Sequence, residues 1–341
     1  MKKEFDTLVF IGRFQPLHKG HVEVIKQAEK FAKQVVVIVG SSFAARSTRN
    51  PFTFYERKEM IKIEFPNDNV KVLPVMDYPY DDIRWVAAVQ SLVSSAIPFT
   101  PDPIKIGLIG HEKDHTSYYL NIFKGWNPIS VQNVEGINAT DIRNKMFEDR
   151  ELAVSFLGDI TPKVANYIDG LFSDDEEFEH LSDEFRAVKA YKDSWKIAPY
   201  APTFVTTDAV VHQSGKVLLV TRGKAPGEGL LALPGGFLGQ HETIMDGMIR
   251  ELKEETKLKI PEKVLRGSIK NTKVFDSPNR DPRGRTITHA FYIDLGFGED
   301  FAKVKGSDDA AHAAWYDVGL LKSEDFYADH FHIINHFIPI Y

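Results

Sequence analysis

The 341-residue chain contains no cysteine. That absence excludes disulfide bridges, thiolate metal centres and a cysteine nucleophile, and it agrees with a reducing, cytoplasmic setting. No run of about 18 apolar residues occurs, so no membrane-spanning helix is expected. The apolar stretch within the opening MKKEFDTLVF is too short for a secretory signal. Positive charge is also in deficit: 42 Lys and Arg face 48 Asp and Glu, a net charge of -6. That balance disfavours a general nucleic-acid binder but permits a local phosphate site. What the chain does have is 43% hydrophobic residues, enough for globular cores, and the length of two ordinary domains. Assembly into a homo-oligomer is left open.

The first half alternates short apolar strands with helices. TLVFIG, VVVIVG, NVKVLPV, IKIGLIG and ISVQNV read as strands. GHVEVIKQAEKFAKQ, FTFYERKEMIKIEF, IRWVAAVQSLVSSA and ATDIRNKMFED read as helices. Strands so uniformly apolar are covered on both faces. Their alternation with helices predicts a doubly wound, Rossmann-like α/β domain with a parallel sheet over residues 1–172. DDEEFEHLSDE then carries seven acidic residues in eleven. It reads as an acidic linker or linker helix within 173–199, with an acidic docking segment as the alternative. Beyond it, TFVTTDAVVHQ, KVLLVTR, VLRGSIKNTKVF, TITHAFYIDL and HAAWYDV read as strands around one strong helix, ETIMDGMIRELKEETKL. These predict an α+β domain with a mixed sheet over residues 200–341.

Chemistry concentrates first in GRFQPLHKGH. Gly12 ends the first strand and HKGH opens the next helix, at the strand edge where α/β sheets bind ligands. A helix N-terminus there offers free N–H groups to phosphate. His18 and His21 are three apart and can face one phosphate, while Gly20 lets the backbone approach closely. Donating imidazoles suit the charge that builds on a pentacoordinate phosphorus. Arg13 has little structural reason to be charged at that place. The bland alternative is a helix start with incidental surface histidines.

This string resembles the H-x-G-H signature of the nucleotidyltransferase superfamily, and its GRFQP form is similar to that of nicotinamide-nucleotide adenylyltransferases. RNPFT followed by ER resembles a second block of that family, placing Arg49 at a phosphate contact. DDIRW places Trp85 where the family stacks an aromatic on nicotinamide; a core aromatic is the alternative. INATDIR resembles a motif whose arginine holds the ATP phosphates, with Arg143 and Thr140 matching and Asn138 standing in place of serine. The resemblance implies transfer of adenylate from ATP to nicotinamide mononucleotide (NMN), giving NAD and pyrophosphate, helped by Mg²⁺. Another phosphorylated acceptor is the rival reading.

A second pattern runs from Gly236 through Glu242 to RELKEE. On a helix, Met245, Met248, Ile249 and Leu252 form one apolar stripe. Glu251, Glu254 and Glu255 fall together beside it. Clustered carboxylates repel unless a cation joins them, and oxygen ligands suit Mg²⁺ or Mn²⁺. A solvated glutamate-rich helix is the alternative. The stretch resembles the Nudix box, with Lys257 where the box has glycine. That resemblance implies Glu251, Glu254 and Glu255 as metal ligands, Arg250 orienting a glutamate, and hydrolysis of a nucleoside diphosphate derivative. FDSPNRDPRGRTITHAFY resembles a segment of ADP-ribose-directed Nudix domains, so Arg280 and Arg283 are candidate ADP-ribose contacts. Asp308 and Asp309 are a candidate base or a simple turn. A non-catalytic nucleotide sensor is the rival for this half.

Overall fold

The computed structural model describes residues 3–98, 100–110, 122–131, 136–148, 158–172, 176–298 and 300–340. The chain divides into two compact units, Met1–Ser182 and Asp183–Tyr341.

In the first unit, β1 (Phe5–Gly12), β2 (Ala32–Val39), β3 (Val70–Pro74), β4 (Ile106–Gly110) and β5 (Asn127–Ser130) form one parallel sheet, ordered β3-β2-β1-β4-β5. Helices α1 (Lys19–Phe31), α2 (Phe54–Glu64) and α3 (Asp82–Ala96) make the crossovers, and α4 (Ala139–Glu148) and α5 (Pro162–Phe172) follow. Leu8, Val9, Val36 and Ile38 are wholly buried, as central strands covered on both faces require. Thr53 starts α2: its hydroxyl accepts from the Glu56 N–H, and the Glu56 carboxylate accepts from the Thr53 N–H at 2.7 Å. The chain leaves β1 for β2 and β3 on one side and returns to β4 on the other. A crevice opens at such a switch point, at the C-terminal ends of the strands, and GRFQPLHKGH starts there. The strand expected at ISVQNV is β5; residues 132–135 lie outside the described residues.

Helix α6 (Glu176–Ser194) covers most of the acidic stretch, and the division between the units falls inside it. Phe178, Leu181 and Val188 give it a buried stripe beneath the acidic composition.

In the second unit the sheet runs β10 (Ile269–Phe275), β11 (Arg285–Asp294), β6 (Thr203–Gln213), β7 (Lys216–Arg222), β12 (Ala310–Asp317). Two short strands complete it: β8 (Leu231–Ala232) pairs with β7, and β9 (Gly235–Phe237) with β6. Strand β11 runs parallel to β6 and the other pairs are antiparallel, so the sheet is mixed. Helix α7 (Ile244–Thr256) buries Met248, Ile249 and Leu252 against Ala209, Val211, Leu218, Phe291 and Ile293, which is the apolar stripe read from the sequence. VLRGSIKNTKVF is not one strand. Pro261 caps a short helix, α8 (Glu262–Gly267), which buries Leu265, and β10 begins only at Ile269. Helix α9 (His330–Phe337) closes the chain.

Lys257 ends α7 in the left-handed conformation, φ 51° and ψ 28°, its N–H bonded to the Lys253 carbonyl. The Nudix box has glycine here because only glycine adopts that conformation without strain. The helix therefore ends as the box requires, at a cost borne by the lysine Cβ. Replacing Lys257 with glycine is expected to stabilise the protein by about 1 kcal/mol, relief of strain exceeding the added freedom of the unfolded chain. Thermal melting checks this: the midpoint should rise by about 2–4 °C, and a lower midpoint would show that the lysine side chain contributes more than its backbone costs.

Candidate active sites

The first site grows from the turn after β1. Phe14 carries the chain out of the strand with a left-handed backbone, φ 53°. Its ring lies over Gly12, where a Cβ would come within 3.0 Å of it. His18 precedes the first turn of α1 and is buried. Its backbone N–H donates to Nδ1 of His21 at 3.4 Å, and the two rings stack with centroids 3.7 Å apart. With Nδ1 accepting, neutral His21 carries its proton on Nε2. A Cβ on Gly20 would stand 3.1 Å from the His18 ring, so this glycine first makes room for the histidine. The structure adds that role to the close backbone approach expected from the sequence.

Around this turn sits a cluster of arginines. Burial, and then the charges of Arg49 and Arg143, push the Arg13 guanidinium down to about 10. Burial and then Arg49 hold Arg143 at about 10, and burial lowers Arg49 while Asp77 opposes the shift. Three cations that depress one another mark a place where an anion is favoured. Nη1 of Arg13 is buried with no hydrogen-bond partner among the described residues. Arg143 donates to the Gln15 carbonyl at 2.8 Å and to Oγ1 of Thr140 at 3.1 Å, so Thr140 aims the arginine. Asn138 takes over the helix-capping task of a serine: its Oδ1 accepts from the Thr140 N–H at 2.9 Å.

Two further members were given no role by the sequence reading. Arg57 is 1% exposed and donates to the carbonyls of Arg13 and Gly40, both at 2.7 Å, and of Ser41 at 3.1 Å. It ties the end of β1 to the end of β2. Asp77 accepts from the Ser41 N–H at 3.0 Å and its hydroxyl at 2.6 Å, and is the anion facing Arg13, Arg49 and Arg57. An acidic residue just past the apolar strand VLPV was the available signal for Asp77. Arg57, inside the helical string ERKEM, looks like any solvent-facing arginine. Trp85 is half-buried against the core cluster of α3, its ring 5.7 Å from that of Phe123.

The second site is a cavity of about 310 Å³ in the second unit. Glu251, Glu254 and Glu255 line it from α7, Arg280 and Arg283 from the loop before β11, and Asp308 and Asp309 from the loop before β12. Arg250 grips Glu242 with Nε and Nη2, at 2.9 and 2.7 Å, and meets Glu251 and Glu254 with Nη1 at 2.8 and 2.9 Å. Its bonds, and then the Gly239 N–H, lower the Glu242 carboxyl to about 2. A Cβ on Gly236 would lie 2.6 Å from the Glu251 carboxylate, which explains the box glycine. Glu255 accepts from the Gly235 N–H at 3.0 Å. Burial, with Glu251 and Asp208 adding repulsion, pushes its carboxyl up to about 8. Among the described residues, no three His, Asp or Glu converge closely enough to hold a metal in this arrangement. Protein donors occupy the three glutamates instead.

The loop arginines are engaged within the protein. Arg280 makes a buried two-pronged pair with Asp329, at 2.9 and 3.0 Å. Arg283 makes another with Asp281, at 2.7 and 3.0 Å, and lies over the Phe237 ring. Asp309 pairs with Lys224, and Asp308, in a left-handed turn, adds to the repulsion that raises Glu251. Asp208 on β6 is a further buried carboxylate in the cavity wall that the sequence reading passed over.

Comparison with known proteins finds a match for each unit. A cytidylyltransferase-like domain profile matches residues 9–145, and a NUDIX domain profile matches residues 202–337. A nicotinamide/nicotinic acid mononucleotide adenylyltransferase of Acinetobacter baylyi is 33% identical over 188 residues, 54% of this chain and 95% of the relative. An ADP-ribose pyrophosphatase of Methanocaldococcus jannaschii is 37% identical over 147 residues, 43% of this chain and 80% of the relative. Over the whole chain, the crystal structure of a bifunctional NMN adenylyltransferase/ADP ribose pyrophosphatase from Francisella tularensis, complexed with AMP and a Mn ion, superimposes with a TM-score of 0.89. It is 34% identical and covers 98% of both chains. With similarity of that extent across both units, the chain belongs to the family of bifunctional NMN adenylyltransferase/ADP-ribose pyrophosphatases.

Proposed function

We propose that the first unit joins NMN to the adenylate of ATP and that the second hydrolyses ADP-ribose to AMP and ribose 5-phosphate. The observation that carries the first activity is the stacked His18–His21 pair set among Arg13, Arg49 and Arg143. In the transfer, a phosphate oxygen of NMN attacks the α-phosphorus of ATP. The bridge to the β-phosphate breaks, and pyrophosphate leaves with no covalent enzyme intermediate. The protein has to place two polyanions side by side and neutralise the charge that develops between them. Buried arginines that depress one another are suited to that, because each gains from an anion's arrival. His21, with its Nε2 proton, supplies a donor at the helix start. Trp85, half-buried against the core cluster, is the candidate platform for the nicotinamide ring.

For the second unit, the donor set fits a divalent cation. Three carboxylates share one cavity wall, and burial with the charges of Glu251 and Asp208 holds Glu255 at about 8. Glu251, Glu254 and Glu255 would hold Mg²⁺ or Mn²⁺. When bound, such a cation acidifies a coordinated water and neutralises pyrophosphate. Arg250 holds Glu242, Glu251 and Glu254 in place, and Arg280 and Arg283 brace the loop on the substrate side. An intact glutamate trio favours hydrolysis over nucleotide sensing. Among the described residues no helix is long and apolar enough to cross a membrane. Incubation with NMN, ATP and Mg²⁺, and separately with ADP-ribose, followed by chromatography of the products, tests both activities. Absence of NAD in the first reaction sinks the adenylyltransferase reading.

His21→Ala is expected to lower NAD formation by about 10²–10³-fold while circular dichroism and melting stay unchanged. Near wild-type turnover in the folded variant would remove His21 from the chemistry.

Glu255→Gln is expected to lower metal-dependent ADP-ribose cleavage by orders of magnitude and to leave NAD synthesis untouched. Parallel assays of both reactions on one preparation check this; loss of NAD synthesis at an unchanged melting temperature would show that the two sites are coupled.

A further inference from the structure

Two hydroxyls in the second cavity stand out because everything around them is paired. On β6, residues of alternate parity face opposite ways. Ala209 and Val211 pack on α7, while Thr206 and Asp208 line the cavity. Asp208 accepts from the Thr288 hydroxyl, and Arg280 and Arg283 are taken by Asp329 and Asp281. Thr206 Oγ1 and Tyr327 Oη are buried, line the same cavity, and have no hydrogen-bond partner among the described residues. Thr206 is 8% exposed and Tyr327 6%. A buried hydroxyl without a partner destabilises a fold, and native proteins keep few of them.

The Tyr327 ring is held firmly even though its hydroxyl is not. The Arg222 guanidinium lies 4.2 Å from the ring centroid. Gly227, with φ 77°, leaves space that a Cβ would fill to within 2.2 Å of the ring, and its N–H is fixed by Glu184 at 2.9 Å. Burial pushes the phenol above its ordinary range, so the hydroxyl stays neutral and can both donate and accept. Thr206 is placed with equal rigidity by the strand ladder, opposite Phe237.

We propose that Thr206 and Tyr327 form a sugar-reading subsite, whose two hydroxyls pair with ribose hydroxyls of the substrate and set specificity in the second site. The chemistry favours a sugar over a phosphate. Neutral hydroxyls offer donor and acceptor together, as a vicinal diol does, whereas Arg280 and Arg283, the loop cations of the same wall, are already engaged by Asp329 and Asp281. This assignment rests on the ADP-ribose reading above and adds to it which residues recognise the sugar. ADP-ribose holds two riboses, and the subsite chemistry is the same for either.

Thr206→Val and Tyr327→Phe remove the hydroxyls and keep the shapes. Calorimetric titration of the full chain with ADP-ribose in EDTA measures binding without turnover, and ADP serves as the second probe because it lacks the distal ribose. Each variant should bind ADP-ribose about tenfold more weakly, and its melting temperature should stay level or rise, because the lost group was unpaired. Retained ADP affinity assigns the contact to the distal ribose, and an equal loss assigns it to the adenosine ribose. In steady state with Mg²⁺, KM should rise while kcat holds. Unchanged ADP-ribose affinity in both variants overturns the proposal, as does a clear fall in melting temperature, which would reveal structural partners. A wild-type chain that neither binds nor cleaves ADP-ribose overturns the underlying reading as well.

Discussion

Like charges cannot be crowded into a protein wall unless something of the opposite sign balances them. Both sites of this chain are built on that constraint, with opposite signs. In the first unit, Arg13, Arg49 and Arg57 face the carboxylate of Asp77, and Arg143 adds a further positive charge beside Arg13 and Arg49. In the second, Glu242, Glu251 and Glu254 surround a single guanidinium, Arg250. Neither arrangement is neutral by itself. The surplus is positive where phosphates are handled and negative where a divalent cation is called for. The folded chain therefore holds its recognition energy as imbalance, which the arriving ion relieves.

Much of this was legible in the sequence because its motifs lie on one element or one turn. HKGH needs only the β1 edge and the start of α1 to bring His18 and His21 together. The Nudix helix needs only its own 3.6-residue period to set Met248, Ile249 and Leu252 on one face and the glutamates beside them. Fold class followed from the same local signals, apolar strands alternating with helices in one half and turn-bounded strands in the other. Lys257 shows that a departure from a motif can leave the geometry standing, since the helix end still turns left-handed without its glycine.

What escaped depended on contacts across long stretches of chain. Asp77 matters because the sheet order brings the end of β3 beside the ends of β2 and β1, and no local pattern carries that order. Arg57 is one arginine in a charged helix until the fold places the carbonyls of Arg13, Gly40 and Ser41 around it, beside that of Thr53 in its own first turn. The sequence allowed a linker helix in the acidic stretch, but not the apolar stripe of Phe178, Leu181 and Val188 that α6 buries. Arg280 and Arg283 looked like free cations in a turn, yet Asp329 and Asp281 already occupy them. In VLRGSIKNTKVF a strand and a helix share one apolar run, and Pro261 decided between them.

The pairing of Arg280 with Asp329 also bears on how the protein is made. Every group placed at the first site lies between Gly12 and Arg143, so that site can assemble while the second unit is still being synthesised. The second cavity is different. Its wall includes Tyr327 and His330, and Asp329 between them pairs with Arg280; all three lie far downstream of the first site. Until they emerge, the Arg280 guanidinium lacks Asp329 and the cavity lacks one side. Domains fold in order as the chain leaves the ribosome. A nascent chain therefore completes its arginine-lined site before its glutamate-lined one, which waits for the segment from Tyr327 to His330.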